Sequence, residues 1–130
     1  MTERIGSAGP WEDAFGYSRA VVAGPWVLVS GCTSTVDGQV RHPTDAAWQA
    51  RAALRTALDA LEKVGLSRQD VVRTRMYLTD IARDGTAVGR VHGEFFADVR
   101  PAATMVEVSA LLDPRMLVEI EVEAYREPAG

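Results

Sequence analysis

Few residues in this chain have the chemistry of a nucleophile, an acid–base group or a metal ligand, and their spacing narrows what they can do. Cys32 is the one cysteine, and the two histidines are His42 and His92. A cysteine nucleophile needs a neighbour that stabilises its thiolate, and neither histidine shares a recognisable motif with Cys32. A small buried filler is therefore the favoured reading of Cys32. Two histidines and one cysteine at these spacings make no metal site, and no cofactor is implied. The carboxylates offer more. In LVEIEVEAY (117–125), Glu119, Glu121 and Glu123 alternate with apolar residues and so share one sheet face. Such a row is either the wet face of an antiparallel sheet or the wall of a cleft in which a carboxylate can move protons. Arg19 follows Tyr17 by two residues and shares its face by alternation. It either points into a cleft beside Tyr17 or remains a solvated surface arginine.

The elements that must position these residues are readable in outline. Residues 1–14 are rich in Gly, Pro and charge and read as an irregular lead-in. YSRAVVAGPWVLVSG (17–31) reads as two short strands joined at Ala23-Gly24-Pro25, and Asp37-Gly38 marks a second turn. The spacing predicts a helix over 43–64, with Ala47, Ala50, Leu54, Leu58, Leu61 and Val64 as its apolar face and Gly65 as its stop. Ser67 and Asp70 form a capping turn before a strand at 71–79. A second helix is predicted over 84–98, buried through Val88, Val91 and Phe95. Its glycines at 85, 89 and 93 fall on one face and predict close packing against a neighbour. Two strands follow, 103–111 and 116–125, with a turn at Asp113-Pro114. The order β-β-α-β-α-β-β predicts a single α+β domain over 1–130, a mixed sheet with two helices packed on one face.

Two helices leave the other sheet face bare. Alternation puts Trp26, Leu28, Met105 and Leu117 there, among Arg73, Arg75, Tyr77 and the glutamates. That much exposed apolar surface predicts a homo-oligomer that buries it. The 130 residues are 47% hydrophobic and 25% charged with net charge −4, and the 14 Lys and Arg are scattered. A nucleic-acid binder normally carries a basic stripe, so no nucleic-acid partner is expected. No apolar run approaches the roughly 20 residues of a membrane helix, so no membrane partner is expected either. MTERIGSAGPWED has no apolar signal-peptide core, and a single cysteine fits a reducing compartment, so the expected location is the cytoplasm.

The motifs resemble one family. Gly16-Tyr17-Ser18, VLVSG (27–31), the Ala-rich helix and GLSRQDVVRTRMYLTDI (65–81) all match. So do EFF (94–96), RPAATMVEV (100–108) and LVEIEVEA (117–124), in the right order and spacing. By these blocks the chain resembles the Rid family, reactive-intermediate enamine/imine deaminases of the RidA/YjgF type. The resemblance implies a chorismate-mutase-like α+β fold, a homotrimer with sites in the clefts between subunits, and hydrolysis of 2-imino or 2-aminoacrylate-type acids to keto acids plus ammonia. It implies that Glu119 holds the reacting water, that Tyr17 lines the cleft, and that the backbone at Ser30 and Gly31 faces the ligand. Cys32, Arg19 and Met105 are candidates for the border of the same site.

Two positions depart from the family pattern. The Pro-Ala-Arg step reads Pro101-Ala102-Ala103, so the arginine that would clamp a substrate carboxylate is missing, and a position that is usually polar is Gly89. An arginine clamp is bidentate and charge-assisted, and no small residue replaces it. The expectation is a deaminase-like hydrolase acting on a small imine or enamine other than the standard 2-imino acids. The alternatives are a non-catalytic trimer that binds a small metabolite and, more distantly, a ribonuclease.

Overall fold

A computed structural model of the chain describes residues 2–127. Its framework is a six-stranded sheet ordered by where β-branched residues alternate with charge. The strand β8 (Val118–Tyr125) lies near the middle of the sheet. Val118, Ile120, Val122 and Ala124 are buried on one face, and Glu119, Glu121, Glu123 and Tyr125 are half-buried on the other. β8 pairs antiparallel with β3 (Trp26–Cys32) on one side and β6 (Val71–Leu78) on the other. β3 turns back through Gly24, at φ +60, onto β2 (Ala20–Ala23). β7 (Ala102–Glu107) lies parallel to β6 at the far edge, so the sheet is mixed.

The lead-in is more ordered than the sequence suggests. Residues Thr2–Ile5 form an edge strand, β1, paired with β2, and Glu12–Phe15 form a short helix, α1. Three of the four β1 side chains are exposed, so the strand is held by backbone pairing and leaves no alternating pattern to read. The order along the sheet is β1-β2-β3-β8-β6-β7. Strands β4 (Thr35–Val36) and β5 (Gln39–Val40) make a separate hairpin. Its two turn residues, Asp37 and Gly38, both have positive φ, the conformation that Asp-Gly tolerates.

Both long helices pack on one sheet face. α2 (Ala46–Glu62) starts at Asp45, whose side chain accepts the Trp48 N–H, rather than in the turn of Pro43. Its buried face runs through Gln49, Ala50, Ala53, Leu54, Ala57 and Leu61, with Leu58 only half-buried at the margin. The helix turns its small residues inward because alanine lets it lie close to the sheet. α3 (Ile81–Phe96) is capped by Asp80 and begins three residues before the expected start, and it buries Val88, Val91 and Phe96. Phe95 is half-buried with the Arg55 guanidinium 5.6 Å from its ring centre.

The phase of β7 is the reverse of the expected one. In the parallel register Met105 stands opposite buried Met76 and Ala103 opposite buried Thr74, so both lie on the helix face. Thr104 and Val106 take the bare face instead. Alternation could not decide this, because Met105 and its neighbour Val106 are both apolar. Met105 packs under α3 where glycine lets the helix approach: a Cβ on Gly85 would lie 3.6 Å from its sulfur, and one on Gly89 3.9 Å from its methyl. Gly93 faces open space, so the close packing involves two of the three glycines. Leu117 also packs on the core, but Trp26 and Leu28 stay 43% and 44% exposed on the bare face.

Candidate active site

The register of β3 against β8 shifts between Val29 and Cys32. Glu119 of β8 stands against this bulge at Gly31. A Cβ on Gly31 would lie 2.8 Å from the Glu119 carboxyl carbon and 2.9 Å from Oε2, so only glycine leaves the carboxyl where it is. Burial raises the Glu119 pKa, Glu121 raises it further, and the charge of Arg19 opposes both. The net effect is a carboxyl that keeps its proton more tightly than an ordinary glutamate, as a general acid requires.

Arg19 sits one residue before β2 and locks the bulge from the other side. Its carbonyl accepts the Ser30 N–H at 2.9 Å. Its Nη1 donates to the Gly31 carbonyl at 2.9 Å, and makes longer contacts to the Ser30 carbonyl and to Cys32 Sγ, both at 3.3 Å. Cys32 is buried, and burial pushes its thiol up to about 11 against the opposing charge of Arg19. With Sγ–H donating to the Ser30 carbonyl at 3.2 Å, it is a neutral filler. The Ser30 hydroxyl is spent on the Ser18 carbonyl at 2.7 Å, and its backbone N–H and carbonyl are held by Arg19 and Cys32, so Ser30 is fully engaged in the bulge.

These groups line a cavity of about 200 Å³ with Tyr17, Thr56 and Met116. Its rim is the loop 7–11, held by Glu12. Burial acts to raise the Glu12 pKa, but hydrogen bonds from the Ser7 N–H (3.0 Å) and Ser7 hydroxyl, helped by the Arg19 charge, lower it overall. The volume suits a small metabolite, since drug-sized ligands occupy about 300–1,000 Å³. Outside it, a shallow groove on the bare sheet face runs past Trp11, Phe15, Tyr17 and Leu112, so Glu119 lies between cavity and groove. Among the described residues no cluster of three or more His, Cys, Asp and Glu side chains is placed to hold a metal ion.

The family model described as Endoribonuclease L-PSP matches residues 10–126. This chain belongs to that family, the YjgF/RidA or Rid family. A Mycobacterium tuberculosis member of the YjgF/YER057c/UK114 family is 46% identical, with a TM-score of 0.87 over 97% of this chain and 100% of that one. An uncharacterised Streptomyces coelicolor protein is 43% identical over 95% of this chain and 91% of its own length. The 3-aminoacrylate deaminase RutC of Acinetobacter baylyi is 36% identical over 84% of this chain and 86% of its own. Escherichia coli TdcF, solved with bound serine, is 26% identical with a TM-score of 0.78 over 95% of this chain and 94% of that one. The α+β, chorismate-mutase-like fold expected from the motifs is the fold of this Rid-family chain.

Within one Rid chain the sequence-predicted site residues fall into two groups. Tyr17, Arg19, Gly31, Cys32 and Glu119 meet around the cavity, and Ser30 joins them at the groove. Gly89, Ala103 and Met105 lie at the opposite edge, with β7 two strands from β8 and three from β3. At about 4.8 Å per strand that is roughly 10 and 14 Å, too far to share a small ligand. Ala103 is exposed beside Thr74, whose hydroxyl bonds His92 Nε2 at 2.8 Å. Two supporting residues escaped the sequence reading. Gln49 is buried in α2. Its amide nitrogen contacts the Arg41, His42 and Arg115 carbonyls, and its oxygen accepts the Leu117 N–H at 2.8 Å, which ties down the segment bearing Met116. A polar residue on an alanine stripe was its available signal. Glu12 had none.

Proposed function

We propose that this Rid-family protein hydrolyses a small reactive imine or enamine to a carbonyl compound and ammonia, with Glu119 as the acid–base group. The observation that carries the reading is the Glu119 carboxyl, held against Gly31 at the mouth of a small cavity in an environment that favours its proton. In the protonated form it donates to the substrate, at carbon for an enamine or at nitrogen for an imine. The carboxylate that remains orients water for attack on the electrophilic carbon. The carbinolamine then collapses, the C–N bond breaks, and the nitrogen leaves as ammonia with a proton returned by Glu119. Water adds one oxygen and two hydrogens, and no oxidant or reductant is required. The 3-aminoacrylate deaminase RutC and the serine bound to TdcF support a small nitrogen-bearing substrate.

Ala103 argues against the standard 2-imino acids of the family. Losing one arm of a buried charged pair costs about 2–5 kcal/mol. The reading is therefore a substrate whose recognition does not depend on a cation at position 103. We propose further that copies of the chain assemble as a trimer through the bare sheet face, so that the Gly89–Ala103 edge of one copy closes the groove of the next. Arg19 is the one cationic side chain in the cavity lining, which gives a ribonuclease little to hold an RNA phosphate backbone.

A coupled assay tests the proposal. 2-Aminoacrylate or 2-iminobutanoate is generated in situ, and release of keto acid is followed with wild type, Glu119→Gln and Ala103→Arg. Wild type should release keto acid from these acids only weakly, since no cation stands at position 103, Glu119→Gln should lose that residual rate, and Ala103→Arg should gain. Wild type without turnover on any small imine would reduce the cavity to a metabolite-binding site.

A further inference from the structure

The bare face of the sheet sets three glutamates of β8 against three polar side chains of β6, and the pairing between them is uneven. In register, Arg73 stands opposite Glu123, Arg75 opposite Glu121 and Tyr77 opposite Glu119. Both arginines nevertheless gather at Glu123. Arg75 Nη1 lies 2.7 Å from the Glu123 carboxylate and 3.7 Å from that of Glu121, and Arg73 Nε lies 3.9 Å from Glu123. Tyr77 also reaches across the diagonal, and its hydroxyl donates to Glu121 at 2.5 Å. The bond to Glu121, then burial, raises the Tyr77 pKa, so the phenol keeps the proton it donates. A phenol fixes a carboxylate but, unlike an arginine, brings no charge to cancel it. Negative charge is therefore well offset at Glu123 and only partly at Glu121, about 7 Å along the strand from Glu119. Glu119 itself has no hydrogen-bond or ion-pair partner among the described residues, and the two glutamates share the wall of the groove.

We infer that Glu121, held in place by Tyr77, is a positioning residue for the acid–base step: its fixed negative charge keeps the proton on Glu119 until a substrate becomes the cation that receives it. Two carboxyls whose surroundings differ in this way let one site supply an acid at neutral pH. In the empty site, giving up the Glu119 proton places two negative charges on one wall. Once an imine or enamine takes that proton, the iminium formed in the groove attracts both carboxylates and offsets their repulsion. The other groups facing Glu119 do not do this. Arg19, ahead of β2, acts in the opposite sense, Cys32 on β3 and Tyr17 at the mouth bring a thiol and a phenol, and Asp37 lies on the exposed hairpin turn. The direction of the Glu119 shift, from burial first and Glu121 second, agrees with the geometry. The inference rests on the proposed function in taking Glu119 as the acid–base group, and adds the residue that governs it.

The test is the carboxyl titration of Glu119, followed by carbon-13 NMR on the full chain without substrate. In Glu121→Gln, which keeps the size of the side chain and an acceptor for Tyr77, the Glu119 midpoint should move to lower pH. In Tyr77→Phe it should move the same way by less, because the charge remains but loses its fixed place. A midpoint that stays put or rises in folded Glu121→Gln overturns the inference, and an unmoved midpoint in Tyr77→Phe refutes the role of Tyr77. Where Glu121→Gln does not fold, wild type decides by reciprocity: the Glu121 resonance should show a second step at the Glu119 midpoint, and its absence sinks the idea. In the deamination assay, the fall of kcat towards high pH should begin at lower pH in Glu121→Gln, with the rate on the acid side retained. A kcat lost equally at every pH would leave Glu121 a structural residue and count against the inference. The titration needs no turnover, so a wild type that deaminates nothing removes the proposed function while the coupling of Glu119 to Glu121 is still decided by NMR.

Discussion

Glu119 and Cys32 share one cavity wall, and burial drives both towards their neutral forms with opposite consequences. For Cys32 a thiol raised to about 11 means almost no thiolate at neutral pH, so iodoacetamide should leave the folded protein unlabelled and modify it only after denaturation. Rapid labelling of the native protein would show the environment to be wrong. For Glu119 the raised pKa also has a stability cost. The folded state holds a proton that the unfolded chain has already released, so the contribution is complete below the ordinary value of 4.5 and is lost as pH rises through the folded value. Gln is permanently neutral. Glu119→Gln should therefore melt higher than wild type at neutral pH, with the gap closing in acid, even as activity disappears. A variant less stable than wild type at neutral pH would contradict this sign.

At the scale of elements, the glycines of α3 separate into two kinds. Gly85 and Gly89 let the helix settle on Met105. A Cβ at Gly85 would also come within 3.1 Å of Ile81 Cγ1, so substitution there forces a shift. Gly93 has open space around its missing Cβ and an ordinary helical backbone. Gly93→Ala should stabilise the protein by about 1 kcal/mol, read as a rise in Tm. No change, or a fall, would mean that the position is covered in the assembled protein. The glycine spacing was legible in the chain, but which glycine meets a neighbour was not. That depends on the phase of β7, set by its parallel register on β6 and not by its own apolar pattern.

At the scale of the molecule, one face of the sheet is covered by helices and the other carries Trp26, Leu28 and Val106 among paired arginines and glutamates. Arg75 lies 2.7 Å from Glu123, and the Tyr77 hydroxyl 2.5 Å from Glu121. Exposed apolar groups ringed by charge fit a surface shared with other copies. Light scattering on the eluted protein should give a closed homo-oligomer, three chains by the proposal, and Leu28→Glu should dissociate it. A monomeric wild type would sink both the assembly and the shared groove.

The sequence alone determined the family and the α+β order and put Glu119 on the sheet face opposite the buried residues of its strand, because alternation, capping and motif spacing are local properties that a linear chain displays. Tertiary structure decided the rest. Whether Arg19 is a surface cation or a buried donor depends on a bulge in the neighbouring strand β3, and whether Met105 meets solvent or helix depends on which strand lies beside it. Both are outcomes of long-range pairing, which fixes side-chain direction only when the partner strand is in place.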